Sequence, residues 1–196
     1  MNFDLEIKKC LEVLRSGGTL LYPTDTVWGI GCDSTNEKAV DKIFNLKKRA
    51  ASQAMIVLVC DGNMLNRFVK NVPSQVWDII EIDFGNEEQQ NSPITIIYDE
   101  GIGFAKNILA EDKSIGIRIV NDPFCEQLIR KFGKPIVSTS ANISGDPTPN
   151  SFNEIKTSIK QSADYVVNWR TQEQLSLKPS SIIRIKENGE FKIIRK

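Results

Sequence analysis

Residues 115–145 read IGIRIVNDPFCEQLIRKFGKPIVSTSANISG. Ile115 to Val120 is a short apolar run rich in β-branched residues, the pattern of a buried strand. The period then changes. From Pro123 to Phe132, Phe124, Leu128 and Phe132 fall on one helical face. Pro135 to Thr139 returns to a strand and runs into the small residues Ser138-Thr-Ser-Ala-Asn142. Strand, helix and strand in immediate succession predict an α/β sheet.

The alternation extends in both directions. Asp4 to Ser16 carries Ile7, Cys10, Leu11 and Leu14 on one helical stripe, and Gly17-Gly18 stops it. Thr19–Tyr22 and Met55–Cys60 read as buried strands. Between them, Ser34 and Glu37 make a capping-box pattern for a helix that ends at Lys47-Lys48-Arg49. Leu65–Val69 and Val76–Ile80 read as helical, residues 81–92 as a polar exposed loop, and Ile94–Tyr98 as a strand. Ser151 and Glu154 repeat the capping pattern ahead of Phe152, Ile155 and Ile159, and Tyr165–Asn168 reads as a strand. Ser181–Lys186 and Phe191–Arg195 flank Asn188-Gly189, a hairpin signal that requires antiparallel pairing. The expected architecture is a three-layer α/β fold on a mixed sheet.

Composition narrows the chemistry. The 196 residues favour one domain, 1–196. Lys plus Arg is 25 and Asp plus Glu is 25, a balance that argues against a dedicated nucleic-acid wrapper. Histidine is absent, which excludes His-based triads, His relays and His-ligated metal sites. The cysteines at 10, 32, 60 and 125 form no CxxC and read as reduced thiols. The acidic N-terminus lacks a signal peptide's apolar core, and the longest apolar run, AMIVLVC, is too short to cross a membrane. The expectation is a cytoplasmic protein.

Neither GxGxxG nor GxxxxGKS is complete, so a nucleotide site would be built differently. Four polar clusters follow strands. In Pro23-Thr-Asp-Thr-Val-Trp-Gly29, Thr24 and Thr26 lie at a strand's carboxyl end, where open sheets bind ligands; a self-bonded turn is the other reading. Lys47-Lys48-Arg49 either complements a helix dipole or clamps polyphosphate. Ser138 to Asn142 is either a plain polar loop or an anion nest. Lys178-Pro-Ser-Ser181 precedes the hairpin, and Arg118 belongs with it. An arginine among strand apolars must face a cavity or a carboxylate.

YPTDTVWGIGCD (22–33), KKR, MIVLV, IGIRI, PIVSTSANISG and PSSIIRI, in this order, resemble the YrdC-like threonylcarbamoyl-adenylate synthases over about Gly17 to Ile185. The resemblance implies a twisted mixed sheet with a deep, basic concave ligand face. It implies condensation of L-threonine, bicarbonate and ATP, with Mg²⁺ arriving on ATP, to threonylcarbamoyl-AMP and pyrophosphate for tRNA modification. tRNA or tRNA-modification proteins are the implied partners. By motif position, Thr26, Thr95, Arg118 and Ser140 are the implied threonine contacts. Lys47 and Arg49 are the implied catalytic pair facing the phosphates, joined around the nucleotide by Ser138, Asn142, Ser180 and Ser181. The chain departs from the family pattern at Trp28, where tyrosine is usual, at Ala50, Ala54-Met55 and Ser92-Pro-Ile-Thr95, and at Val120. The competing reading is a non-catalytic RNA- or nucleotide-binding paralogue of the same fold.

Overall fold

The computed structural model describes the backbone of residues 2–48, 55–85, 93–173 and 180–195, and the side chains of all of these except 82–85. Six α-helices are described, α1 (Phe3–Arg15), α2 (Glu37–Lys47), α3 (Gly62–Phe68), α4 (Gln75–Gly85), α5 (Pro123–Phe132) and α6 (Thr157–Ser162), with a short 3-10 turn at Lys106–Ile108. The strands are β1 (Leu20–Tyr22), β2 (Gly29–Gly31), β3 (Ile56–Val59), β4 (Ile94–Tyr98), β5 (Ile115–Ile119), β6 (Ile136–Ser140), β7 (Tyr165–Val166), β8 (Ser181–Ile185) and β9 (Phe191–Arg195).

The helix ends follow local chemistry. In α5, the Asp122 carboxylate accepts from Cys125 N, Pro123 fills the first turn, and Gly133 takes the left-handed cap at φ 78°. In α1, Gly17 N donates to Leu14 O and Gly18 N to Val13 O, closing a Schellman motif. Two expected capping boxes do not form. Ser34 Oγ donates to Pro135 O at 2.7 Å instead, and Asn36 caps α2 by accepting from Ala39 N. After Ser151 the chain makes only i→i+3 bonds, Glu154 N to Ser151 O and Ile155 N to Phe152 O. The α-helix therefore waits until Thr157. Residues 81–85, expected in a loop, continue α4. The rest of that expected loop, 86–92, lies outside the described residues.

All nine strands join one sheet in the order β7-β1-β2-β6-β3-β5-β4-β8-β9. β1/β7, β3/β5 and β4/β8 run parallel; β1/β2, β2/β6, β3/β6, β4/β5 and β8/β9 run antiparallel. The sheet is therefore mixed, as the terminal hairpin required. β1, β2, Val57–Val59 and Ile115–Arg118 are buried without alternation, so both faces of the sheet's middle are covered. β9 is exposed along its whole length, as an edge strand. The four cysteines are free and buried in this core.

The sheet's middle leaves little room. A Cβ on Gly31 would fall on the Val137 carbonyl oxygen and 2.7 Å from Tyr22 Cε1. The obstruction is backbone of the paired strand, which cannot rotate away. Gly31→Ala is expected to destabilise the protein by about 2–3 kcal/mol through overpacking, read as a lowered urea midpoint at unchanged m-value.

Candidate active site

Strand register decides which candidate residues meet. β5 places Gly116 and Arg118 on one face and Ile115, Ile117 and Ile119 on the other. Ile56 pairs with both Gly116 and Ser138, so Ser138 and Ser140 share the Arg118 face. Ile97 pairs with Gly116, which puts Thr95 there too. Ser140 pairs with Gly29, and Gly29 with Tyr22. Polar groups from four strands thus share one face.

Ser180 joins them: its hydroxyl and that of Thr95 are 2.7 Å apart, and both residues are buried. Ser181 does not. It pairs with Ile94, and the alternation puts it on the opposite face with Ile94 and Ile96. There the neighbours are apolar, around a small gap lined by Leu65, Ile79, Ile80, Ile94, Ile96 and Ile117.

The loop 23–28 joins the β1–β2 hairpin and lies over this face. Thr24 takes the self-bonded reading. Its hydroxyl accepts from Thr26 N (3.1 Å) and Val27 N (3.3 Å) and donates to Val27 O (2.7 Å). The turn presents Asp25 and Thr26 to Arg118. Arg118 Nη2 lies 2.8 Å from Asp25 Oδ1, and Nη1 lies 3.4 Å from Thr26 Oγ1. Arg118 and Asp25 are only 2% and 7% exposed at the side chain. The ion pair is off the N–H axis: among the described residues, Asp25 Oδ1 has no aligned hydrogen bond and Arg118 Nε has no partner. A buried guanidinium with an unmade donor has room for one more acceptor.

Beside it, burial pushes the Tyr22 phenol well above its ordinary range, and its hydroxyl donates to Val137 O at 3.3 Å. Burial and then the Asp122 and Asp25 charges push the Cys125 thiol well up, so this cysteine stays neutral and is no nucleophile. Trp28, fully buried, packs at 4.9 Å on Phe152, and its indole N–H has no partner among the described residues.

The carboxyl end of α2 meets the Ser138–Asn142 loop. Lys47, 1% exposed, donates to Ser140 O (2.5 Å), Asn142 O (2.7 Å) and Asn142 Oδ1 (3.3 Å). Its backbone carbonyl accepts from Ser144 N at 3.0 Å. Ser140 Oγ donates to Asn142 Oδ1, and Asn142 Nδ2 to Asp146 O. Lys47 therefore fastens the loop. Lys48 caps the helix in the left-handed conformation at φ 50°. Arg49 and Lys178 lie outside the described residues. A recess of about 220 Å³ opens beside the loop, lined by Ala141, Asn142, Asp146, Pro147, Pro149 and Lys156.

Sequence reasoning missed two residues here. Asp25 is the only charge in the stretch from Tyr22 to Cys32, and a carboxylate alone among uncharged residues is the kind of partner a strand arginine needs. Arg195 carried no signal. It clasps Ser180 O from Nε (3.1 Å) and Nη2 (2.6 Å) because β9 pairs Arg195 with Ile182. Among the described residues no group of three His, Cys, Asp or Glu side chains forms a metal cage, and no helix is long and apolar enough to cross a membrane.

The Sua5/YciO/YrdC family profile, described as "Telomere recombination", matches residues 12–196. The chain belongs to this family. Among relatives, it is 30% identical over 170 residues to the threonylcarbamoyl-AMP synthase of Pseudoalteromonas translucida, covering 86% of this chain and 88% of that one. It is 35% identical over 137 residues to the threonylcarbamoyl-AMP synthase of Hahella chejuensis, covering 69% and 71%. The Sua5/YciO/YrdC fold is matched in solved structures as well. E. coli YciO superposes with a TM-score of 0.81 at 22% identity, over 100% of this chain and 90% of that one. P. abyssi Sua5 complexed with L-threonine gives 0.80 at 23%, over 91% of this chain. The chain spans about half the length of the Sua5 chains it matches, 52% and 50%. At these identities the likeness to solved structures is one of fold.

Proposed function

We propose that the protein is a threonylcarbamoyl-AMP synthase, a nucleotidyltransferase acting as one domain. It condenses L-threonine, bicarbonate and ATP into threonylcarbamoyl-AMP and pyrophosphate. The relatives that share about a third of its sequence carry that name. The observation that carries the reading is the buried Arg118 with its unpartnered Nε, set against the Thr26 hydroxyl. That arrangement suits an amino acid's carboxylate with a side-chain hydroxyl beside it.

The chemistry needs no histidine. Threonine's amine and bicarbonate give a carbamate and water. A carbamate oxygen attacks the α-phosphorus of ATP, and pyrophosphate leaves. The protein's work is to orient the carbamate and to stabilise charge on the phosphates. Arg118 and Thr26 hold the threonine end. The Lys47-fastened loop, with Ser138, Ser140 and Asn142, forms the junction where the carbamate meets the α-phosphate. By motif position, Arg49 is the implied partner of the phosphates, and Ser180 contributes a hydroxyl toward the nucleotide. Mg²⁺ would enter with ATP and offset charge on its phosphates; the carboxylates of the described residues form no cage for it. Thr95, on the Arg118 face and bonded to Ser180, links the threonine end to the nucleotide side. On this reading the product serves tRNA modification, the reaction is cytoplasmic, and tRNA or tRNA-modification proteins are the recipients.

Pyrophosphate release is expected only when L-threonine, bicarbonate and ATP are all present. Mass spectrometry should find threonylcarbamoyl-AMP carrying the label of isotopic bicarbonate. Equal release without threonine, or no labelled adenylate, overturns the assignment.

A further inference from the structure

We propose that Asp25 is a positioning residue. It holds the Arg118 guanidinium in the orientation that leaves Nε–H open for an α-amino acid carboxylate. The inference rests on Arg118 taking the threonine carboxylate, as proposed above.

An arginine side chain has several soft torsions, and its charge is costly to bury unless something fixes and balances it. Arg118 rises from β5 between Ile117 and Ile119, where no neighbouring strand residue is charged. Asp25 Oδ1 at 2.8 Å from Nη2 supplies the balance. Asp25 is itself held from two sides. The loop around it is closed by the three Thr24 hydroxyl bonds. Its second oxygen accepts a long bond from Asn121 N at 3.4 Å, two residues beyond the end of β5.

With Nη2 on Asp25 and Nη1 toward Thr26, Nε is the donor left unmatched. A guanidinium reads a carboxylate well only when it is held in place beforehand. Thr26 offers a neutral hydroxyl at 3.4 Å, whereas Asp25 offers a full charge at 2.8 Å from Nη2. The Asp25 charge therefore fixes which end of the guanidinium is turned to the loop.

The test compares the full-length wild type with Asp25→Asn, which keeps the shape and removes the charge. Calorimetric titration with L-threonine is expected to show about 10-fold weaker binding in the variant. ATP affinity should stay within about twofold, because the lesion acts on one ligand only. Unchanged L-threonine affinity overturns the inference, and so does an equal loss for both ligands, which marks general damage. Should the variant not fold, side-chain ¹⁵N spectra of the wild type decide. Separate, slowly exchanging Arg118 Nη signals without ligand, and an Nε–H signal that moves on adding L-threonine, are expected; fully averaged Nη signals overturn the hold. A wild type that binds no L-threonine overturns the threonine site and this inference together. A wild type that binds it beside an indifferent Asp25→Asn overturns this inference alone.

Discussion

Arg118→Ala is expected to raise the KM for L-threonine by roughly 10- to 150-fold, the loss of about 1.5–3 kcal/mol of charge-assisted hydrogen bonding. It is also expected to cost about 3–5 kcal/mol of stability, because Asp25 is left as a buried charge with no counter-charge. Both effects have one origin, the 2.8 Å pair between side chains that are 2% and 7% exposed. They can be separated. Arg118→Lys keeps a cation opposite Asp25 but loses the planar fork. Urea unfolding should therefore show most of the stability restored, while steady-state kinetics still show the raised KM. Full recovery of KM in Arg118→Lys would mean that charge alone, without the fork, reads the substrate.

Lys47→Met is expected to be the second severe change. Methionine matches the length of the stem but leaves Ser140 O, Asn142 O and Asn142 Oδ1 without the ammonium they share. Hydrogen bonds to a charged group contribute about 1.5–3 kcal/mol, and a buried acceptor left bare adds its desolvation cost. A loss of about 3 kcal/mol in urea unfolding is the expected outcome. The loss should spread to ATP binding, since the released loop no longer presents Ser138 and Asn142 together. A variant of near wild-type stability with weakened ATP binding would instead place Lys47 on the phosphates directly.

Much of the fold is legible in particular stretches. α5 runs from Pro123 to Phe132 as the 3.6-residue spacing predicts. The hairpin forms around Asn188-Gly189, with Gly189 at φ 85°. The two capping boxes misled for different reasons: Ser34 bonds Pro135, 101 residues away, and Ser151 meets the Glu154 carboxylate in a run of i→i+3 turns rather than capping a helix. A cap is a local option that a tertiary contact can outbid. The site was legible in residue type more than in arrangement. Arg118 needed a cavity or a carboxylate, and the spacing along the chain does not say that Asp25 provides the latter. Ser180 and Ser181 are indistinguishable in sequence, yet one bonds Thr95 and the other turns to the apolar face.

The amino-acid order alone determined the kinds of elements, their succession and the presence of an arginine that could not stand unpaired. These follow from periodicity and from the cost of burying charge, both readable along the chain. Only the tertiary structure decided which oxygens Lys47 fastens, which acid meets Arg118 and which serine faces inward. Alternation sets the side of each residue relative to its own strand, but the register between strands distant in sequence decides which sides coincide, and a slip of one residue would exchange Ser180 for Ser181.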